Sequence, residues 1–206
     1  MTRLGIVLSG RGSNFEAIAE QIGQGQLAAE IAVVVANRAD APGVDAARRR
    51  GLVAVVLPSR GVERSEYDRS LVKVLQAHDV EWVILAGYMR ILTAEFIRAF
   101  PERILNIHPS LLPAFPGLDA QHQALAYGVK VTGCTVHFVD EHLDHGPIVM
   151  QATVSVEDAD TVETVAARIL REEHRIYSEA LRLLLTGAWR IEGRKVVRVK
   201  TLTAGG

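Results

Sequence analysis

The chain has 206 residues, 49% of them hydrophobic and 23% charged, with 23 Lys and Arg against 24 Asp and Glu for a formal net charge of −1. That balance excludes a disordered chain and leaves no global field to recruit nucleic acid or an anionic membrane, so a charged ligand must be met locally. The single Cys134 excludes an internal disulfide framework and a multi-thiolate metal site, and suits a reducing cytoplasm.

The length fits one domain over 1–206. Its first half alternates β-rich runs with helical patterns: strand Leu4 to Ser9, helix Asn14 to Ile22, strand Ile31 to Ala36, helix Val44 to Arg50, strand Val53 to Leu57. An amphipathic helix from Ser65 to His78, a buried strand Trp82 to Ala86, a short helix Ala94 to Phe100 and a strand Arg103 to Ile107 follow. Near-continuous apolar strands of this kind belong to a mostly parallel, doubly wound α/β sheet covered on both faces.

Pro109, Pro113, Pro116 and Gly117 make His108 to Leu118 a loop. Beyond it the pattern predicts a helix near Gln121 to Tyr127, strands Val131 to Asp140 and Ile148 to Val156, and a helix from about Thr161 to Thr186. Trp189 to Leu202 forms a hairpin or edge, and Thr203 to Gly206 a frayed end. No apolar run approaches the ~20 residues of a membrane-spanning helix. The start, MTRLGIVLSG, carries no signal-peptide cleavage pattern, so neither export nor a membrane anchor is expected.

Ser9-Gly10-Arg11-Gly12-Ser13-Asn14 joins the first strand to the first helix, where open α/β sheets hold their ligand loops. The glycines allow a tight turn, and the helix N-terminus favours a phosphate; Ser13 or Asn14 can cap. The loop is no P-loop, and Phe15 replaces the third glycine of a dinucleotide fingerprint. Asn37 and Arg38 stand where a ribose-binding acid would end strand two, which favours a phosphate monoester over NAD. On its own the loop fits an anion site and a simple capped turn equally well.

Asn106 and His108 share one strand face at the carboxyl edge of the sheet, and Pro109 restrains the histidine. A carboxamide beside an imidazole suits stabilisation of an oxyanion with proton movement near neutral pH. The loop Asp140-Glu141-His142-Leu143-Asp144-His145-Gly146-Pro147 can return Asp144 to that edge, where its carboxylate favours a charged ring. His142 and His145 match no closed zinc pattern, and no metal is expected. Cys134 reads as a buried thiol rather than a nucleophile, and His137 as lining the site or packing beside it.

Gly10 to Asn14, Ala86 to Leu92, Leu105 to Pro113 and Val136 to Pro147 together resemble the phosphoribosylglycinamide formyltransferases over nearly the whole chain. The resemblance implies a Rossmann-like formyltransferase fold and transfer of a formyl group from 10-formyltetrahydrofolate to the amine of glycinamide ribonucleotide, in purine biosynthesis. It implies Asn106, His108 and Asp144 as catalytic residues. Gly12, Ser13 and Asn14 would hold the phosphate and Glu173 the ribose hydroxyls. Met89, Arg90, Ile91 and Leu92, with Asn106, would enclose the folate, and Arg64 would face its glutamate tail. The N-terminal half would thus bind the ribotide and the C-terminal half the folate, in a cytoplasmic monomer or homodimer acting on small molecules.

Asp119 departs from family members that place a histidine there, and contacts from Pro116 to His122 are left unassigned. Relatives acting on aminoacyl-tRNA or on water differ in the Gly10 to Asn14 loop and carry extra domains that 206 residues cannot hold. A binding module that has lost its chemistry is the rival of another class, and the intact Asn106, His108 and Asp144 argue against it.

Overall fold

A computed structural model describes residues 1–199, so the tail beyond Val199, with the frayed end expected at Thr203 to Gly206, lies outside the described residues. In chain order the elements are β1 (Thr2–Leu8), α1 (Ser13–Gly23), β2 (Ala29–Ala36), α2 (Pro42–Arg49), β3 (Ala54–Val56), α3 (Arg64–Ala77) and β4 (Trp82–Leu85). They continue with α4 (Ala94–Ala99), β5 (Ile104–His108), α5 (Ala120–Tyr127), β6 (Val131–Phe138), β7 (Ile148–Ser155), α6 (Val162–Leu185), β8 (Trp189–Glu192) and β9 (Lys195–Arg198).

All strands join one sheet in the order β3-β2-β1-β4-β5-β6-β7-β9-β8. The first five pair in parallel, as the alternating pattern requires. β6 runs antiparallel to β5 and β7, and the expected terminal hairpin, β8 with β9, borders β7 through the pair Ile148 and Lys195.

Parallel crossovers put helices on both faces, so the strands are apolar on both sides. Leu4, Ile6, Leu8, Leu105 and Ile107 pack with Phe15 and Ile18 of α1, Val44 of α2 and Ile169, Ile176 and Tyr177 of α6. Val7, Val83, Leu85 and Ile104 face the other way, onto Tyr67, Leu71 and Leu75 of α3 and Phe96 of α4. The Tyr177 hydroxyl lies 3.0 Å from the carbonyls of both Leu85 and Leu105, pinning α6 to β4 and β5.

Several boundaries differ from expectation for identifiable reasons. α2 begins at Pro42, two residues early, because proline in a first turn has no N–H to lose. β5 includes His108, which pairs with Thr135, so the ladder as well as Pro109 holds the imidazole. β6 stops at Phe138 because Asp140 turns away to bond His142 N and the His145 ring. Thr161 is a cap rather than a helical residue, in a reciprocal capping box with Thr164.

Strand order reverses between β1 and β4, the position where open sheets leave a crevice at their carboxyl ends. The two loops that leave there are tied together: Ser9 N donates to Gly87 O at 3.2 Å, and Met89 N to Ser9 Oγ at 2.9 Å.

Candidate active site

Three segments meet along this edge. The first is the start of α1. Gly12 is its N-cap at φ +72, in the left-handed region, and an added Cβ would sit 2.9 Å from Leu8 Cδ2. Neither Ser13 nor Asn14 caps the helix, contrary to expectation: they are its first two residues, and no side chain caps it. The first-turn N–H groups therefore stay open to an anion. Asn14 turns inward instead, and its Nδ2 donates to Glu173 Oε2 of α6 at 2.8 Å. Glu173 is 8% exposed; burial pushes its carboxyl above the usual range and the Asn14 bond opposes that in part.

The second segment follows β4. Met89 and Ile91 are exposed at 70% and 52%, whereas Leu92 is buried in the α3 and α4 core. Arg90 lies over the Tyr67 ring at 4.7 Å and donates to Ser59 O at 3.3 Å. The four residues thus alternate between an apolar outward pair and an anchored inward pair. Arg64 opens α3 on the surface, in the same turn as Tyr67, with Glu63 capping the helix through Ser65 N and Glu66 N.

The third segment is β5 with the loops that close over it. Because Leu105 and Ile107 point into the α1 and α6 core, Asn106 and His108 face the α3 and α4 side. His108 Nδ1 is 3.3 Å from Asp144 Oδ2, and its Nε2 is 2.8 Å from Phe115 O. Both ring nitrogens face an acceptor, Asp144 Oδ2 on one side and Phe115 O on the other. Asp144 Oδ2 also accepts from Gly117 N at 2.8 Å, closing the two loops on one another. Phe115, Asp119 and Asp144 have φ of 52, 56 and 48, so three of the five non-glycine residues at positive φ among the described residues lie on these loops. Such backbone concentrates at functional sites.

Gly146 makes the return of the second loop possible, because a Cβ there would lie 2.0 Å from Phe138 O. Asp140, His142 and His145 gather their ligand atoms within 4.8 Å of one another on this loop. His145 Nδ1 bonds Asp140 at 2.8 Å, and Arg194 of the terminal hairpin approaches the same ring, 2.8 Å from Nε2. Cys134 is a free, buried thiol, pushed up to about 12 by burial, as its apolar strand suggested.

The structure therefore joins Asn14 to Glu173 and His108 to Asp144, and puts these pairs on opposite faces of one sheet edge. Sequence reasoning missed the backbone groups, Phe115 O and Gly117 N, which no residue type signals. His137, left open by the sequence between lining the site and packing beside it, stands opposite Asn106 and lies 3.2 Å from it, Nε2 to Nδ2.

Comparison with known proteins accords with this geometry. A family model described as Formyl transferase matches residues 2–181. The crystal structure of glycinamide ribonucleotide transformylase 1 from Symbiobacterium toebii is 52% identical with a TM-score of 0.94, covering 97% of this chain and 94% of that one. The phosphoribosylglycinamide formyltransferase of Bacillus subtilis (strain 168) is 38% identical over 186 residues, 90% of this chain and 95% of that protein. The trifunctional purine biosynthetic protein adenosine-3 of Bos taurus is 41% identical over 190 residues, and this chain spans 19% of its length. Matched over most of its length and sharing the fold, the chain belongs to the formyl transferase family.

Proposed function

We propose that this protein transfers the formyl group of 10-formyltetrahydrofolate to the amine of 5'-phosphoribosylglycinamide, giving formylglycinamide ribotide and tetrahydrofolate in purine biosynthesis. The observation that carries this reading is the buried His108–Asp144 pair beside Asn106, on the edge that also holds an uncapped helix N-terminus.

In this reading the phosphate sits on the N–H groups of Gly12, Ser13 and Asn14, and the Glu173 carboxylate accepts from the ribose hydroxyls. Met89, Arg90, Ile91 and Leu92 enclose the pterin with Asn106 beside it, and Arg64 offers charge to the glutamate tail. One domain carries both ligands. The neutral amine attacks the formyl carbon, the carbon–nitrogen bond to the folate breaks, and one proton passes from the attacking nitrogen to the departing one. Negative charge on the formyl oxygen is met by Asn106 Nδ2–H and by His108, whose Nε2–H exchanges Phe115 O for that oxygen. Asp144 orients the ring and sets a carboxylate beside it. The chemistry uses no metal and no covalent enzyme intermediate, and holding both substrates in one cleft supplies much of the rate. The buried free thiol accords with a cytoplasmic setting, and the working unit is a monomer or homodimer.

The test is absorbance-monitored conversion of 10-formyltetrahydrofolate with and without the ribotide, for wild type and His108→Ala. Ribotide-dependent turnover that is lost in the variant, with ternary-complex kinetics, is expected. Turnover without ribotide would identify a hydrolase, and ribotide binding without turnover would identify a module that has lost its chemistry.

A further inference from the structure

His137 takes no part in the reaction written above, yet it is 2% exposed and reaches the site through one ring nitrogen. Its Nδ1 lies 2.8 Å from Phe138 O, a group that only accepts, so Nδ1 carries the hydrogen. In the neutral ring Nε2 is then an acceptor, and 3.2 Å away stands Asn106 Nδ2, a group that only donates. The two contacts agree on a single tautomer. Asp144 Oδ1 lies 3.7 Å from the same Nε2, too far for a hydrogen bond, so the carboxylate does not compete for that position. Burial, the largest effect, holds this ring below the usual histidine range; Asp144 and Asp140 oppose it and His108 adds to it.

The geometry points to His137 as the residue that sets which way the Asn106 carboxamide faces. With one Nδ2 hydrogen given to His137, the second is left for the formyl oxygen. The reversed amide would put two acceptors against each other at His137 and a carbonyl lone pair against the developing oxyanion. His137 is therefore a positioning residue that acts through Asn106. This inference rests on the formyl-transfer reading.

The test compares His137→Asn, which has no acceptor where Nε2 stands, with His137→Gln, whose Oε1 reaches that place, alone and combined with Asn106→Ala. Since removing an oxyanion donor costs 10²–10³ in kcat, misdirecting one in His137→Asn is expected to lower kcat about 10- to 100-fold, with both KM values within about twofold. His137→Gln is expected to recover kcat to within about threefold of wild type, and in the Asn106→Ala background His137→Asn is expected to cost under about twofold more. A wild-type kcat in His137→Asn, or an equal loss in the Asn106→Ala background, overturns the proposal. Imidazole nitrogen chemical shifts of the wild-type protein give a readout independent of turnover and of how the variants fold. A protonated Nδ1 with a bare Nε2 supports the proposal, and a protonated Nε2 overturns it. Wild type without ribotide-dependent turnover defeats the functional reading by itself, and the tautomer then stands or falls on the nitrogen shifts.

Discussion

Asp144 Oδ2 stands 3.3 Å from His108 Nδ1 with both side chains under a tenth exposed, and the same oxygen accepts from Gly117 N. One carboxylate thus orients the imidazole and holds down the loop that covers it. Asp144→Asn keeps the shape and removes the charge that favours the imidazolium. A fall in kcat of roughly 10²- to 10³-fold is expected, the size seen when a charge-stabilising group is lost. Ribotide affinity, measured by calorimetry, should barely move, because the Asn14–Glu173 pair lies on the other face. Retention of most of the activity would remove Asp144 from the machinery.

Glu173 is an acid whose carboxyl is raised in the fold by burial. Such a group favours folding where it is protonated in both states, and that benefit is lost as pH rises from its unfolded range through its folded one. Glu173→Gln, which can still accept from Asn14, is therefore expected to melt higher than wild type near pH 7 and to match it near pH 4. The scale is about 2–4 °C for each kcal/mol in a chain of this size. Thermal unfolding at the two pH values checks this, and the same variant should raise the KM for the ribotide.

Cys134 is buried and its thiol is pushed up to about 12, first by desolvation and then by the nearby Glu173 charge. The thiolate that a maleimide requires is scarce at neutral pH. Native protein is expected to resist labelling until denatured, and Cys134→Ala to keep its activity; rapid labelling of the folded chain would contradict the buried placement.

Gly146→Ala forces a Cβ to within 2.0 Å of Phe138 O, a backbone atom that cannot step aside. Overpacking of this kind costs about 1–3 kcal/mol or more, and the loop that must shift is the one carrying Asp144. Lower melting temperature together with lower kcat is expected. A loss of stability with full activity would mean that the loop's path does not matter to the chemistry.

Much of this was readable from residue types. Alternating apolar runs announced the parallel half of the sheet, and Asn106 and His108 shared a face because strands alternate. The antiparallel β6 and β7 were legible as strands, but their direction depends on the loops between them, which carry no directional signal. The cap at Gly12 was misread because Ser13 and Asn14 are good capping residues by type, whereas the glycine's left-handed backbone and the burial of Asn14 against Glu173 decide the outcome. That partner comes from 159 residues away, beyond the reach of any local pattern. Phe115 O and Gly117 N were invisible because main-chain groups look alike in every residue.

The opposite-face placement of the two pairs governs how ligands come and go. On the proposed assignment the ribotide rests against α1 and α6 while the folate rests against α3 and α4, and they touch only over the rim formed by Asn106 and His108. A substitution on one face therefore reaches the ligand on the other only through that rim. A single compound meant to fill both ends would have to cross that rim.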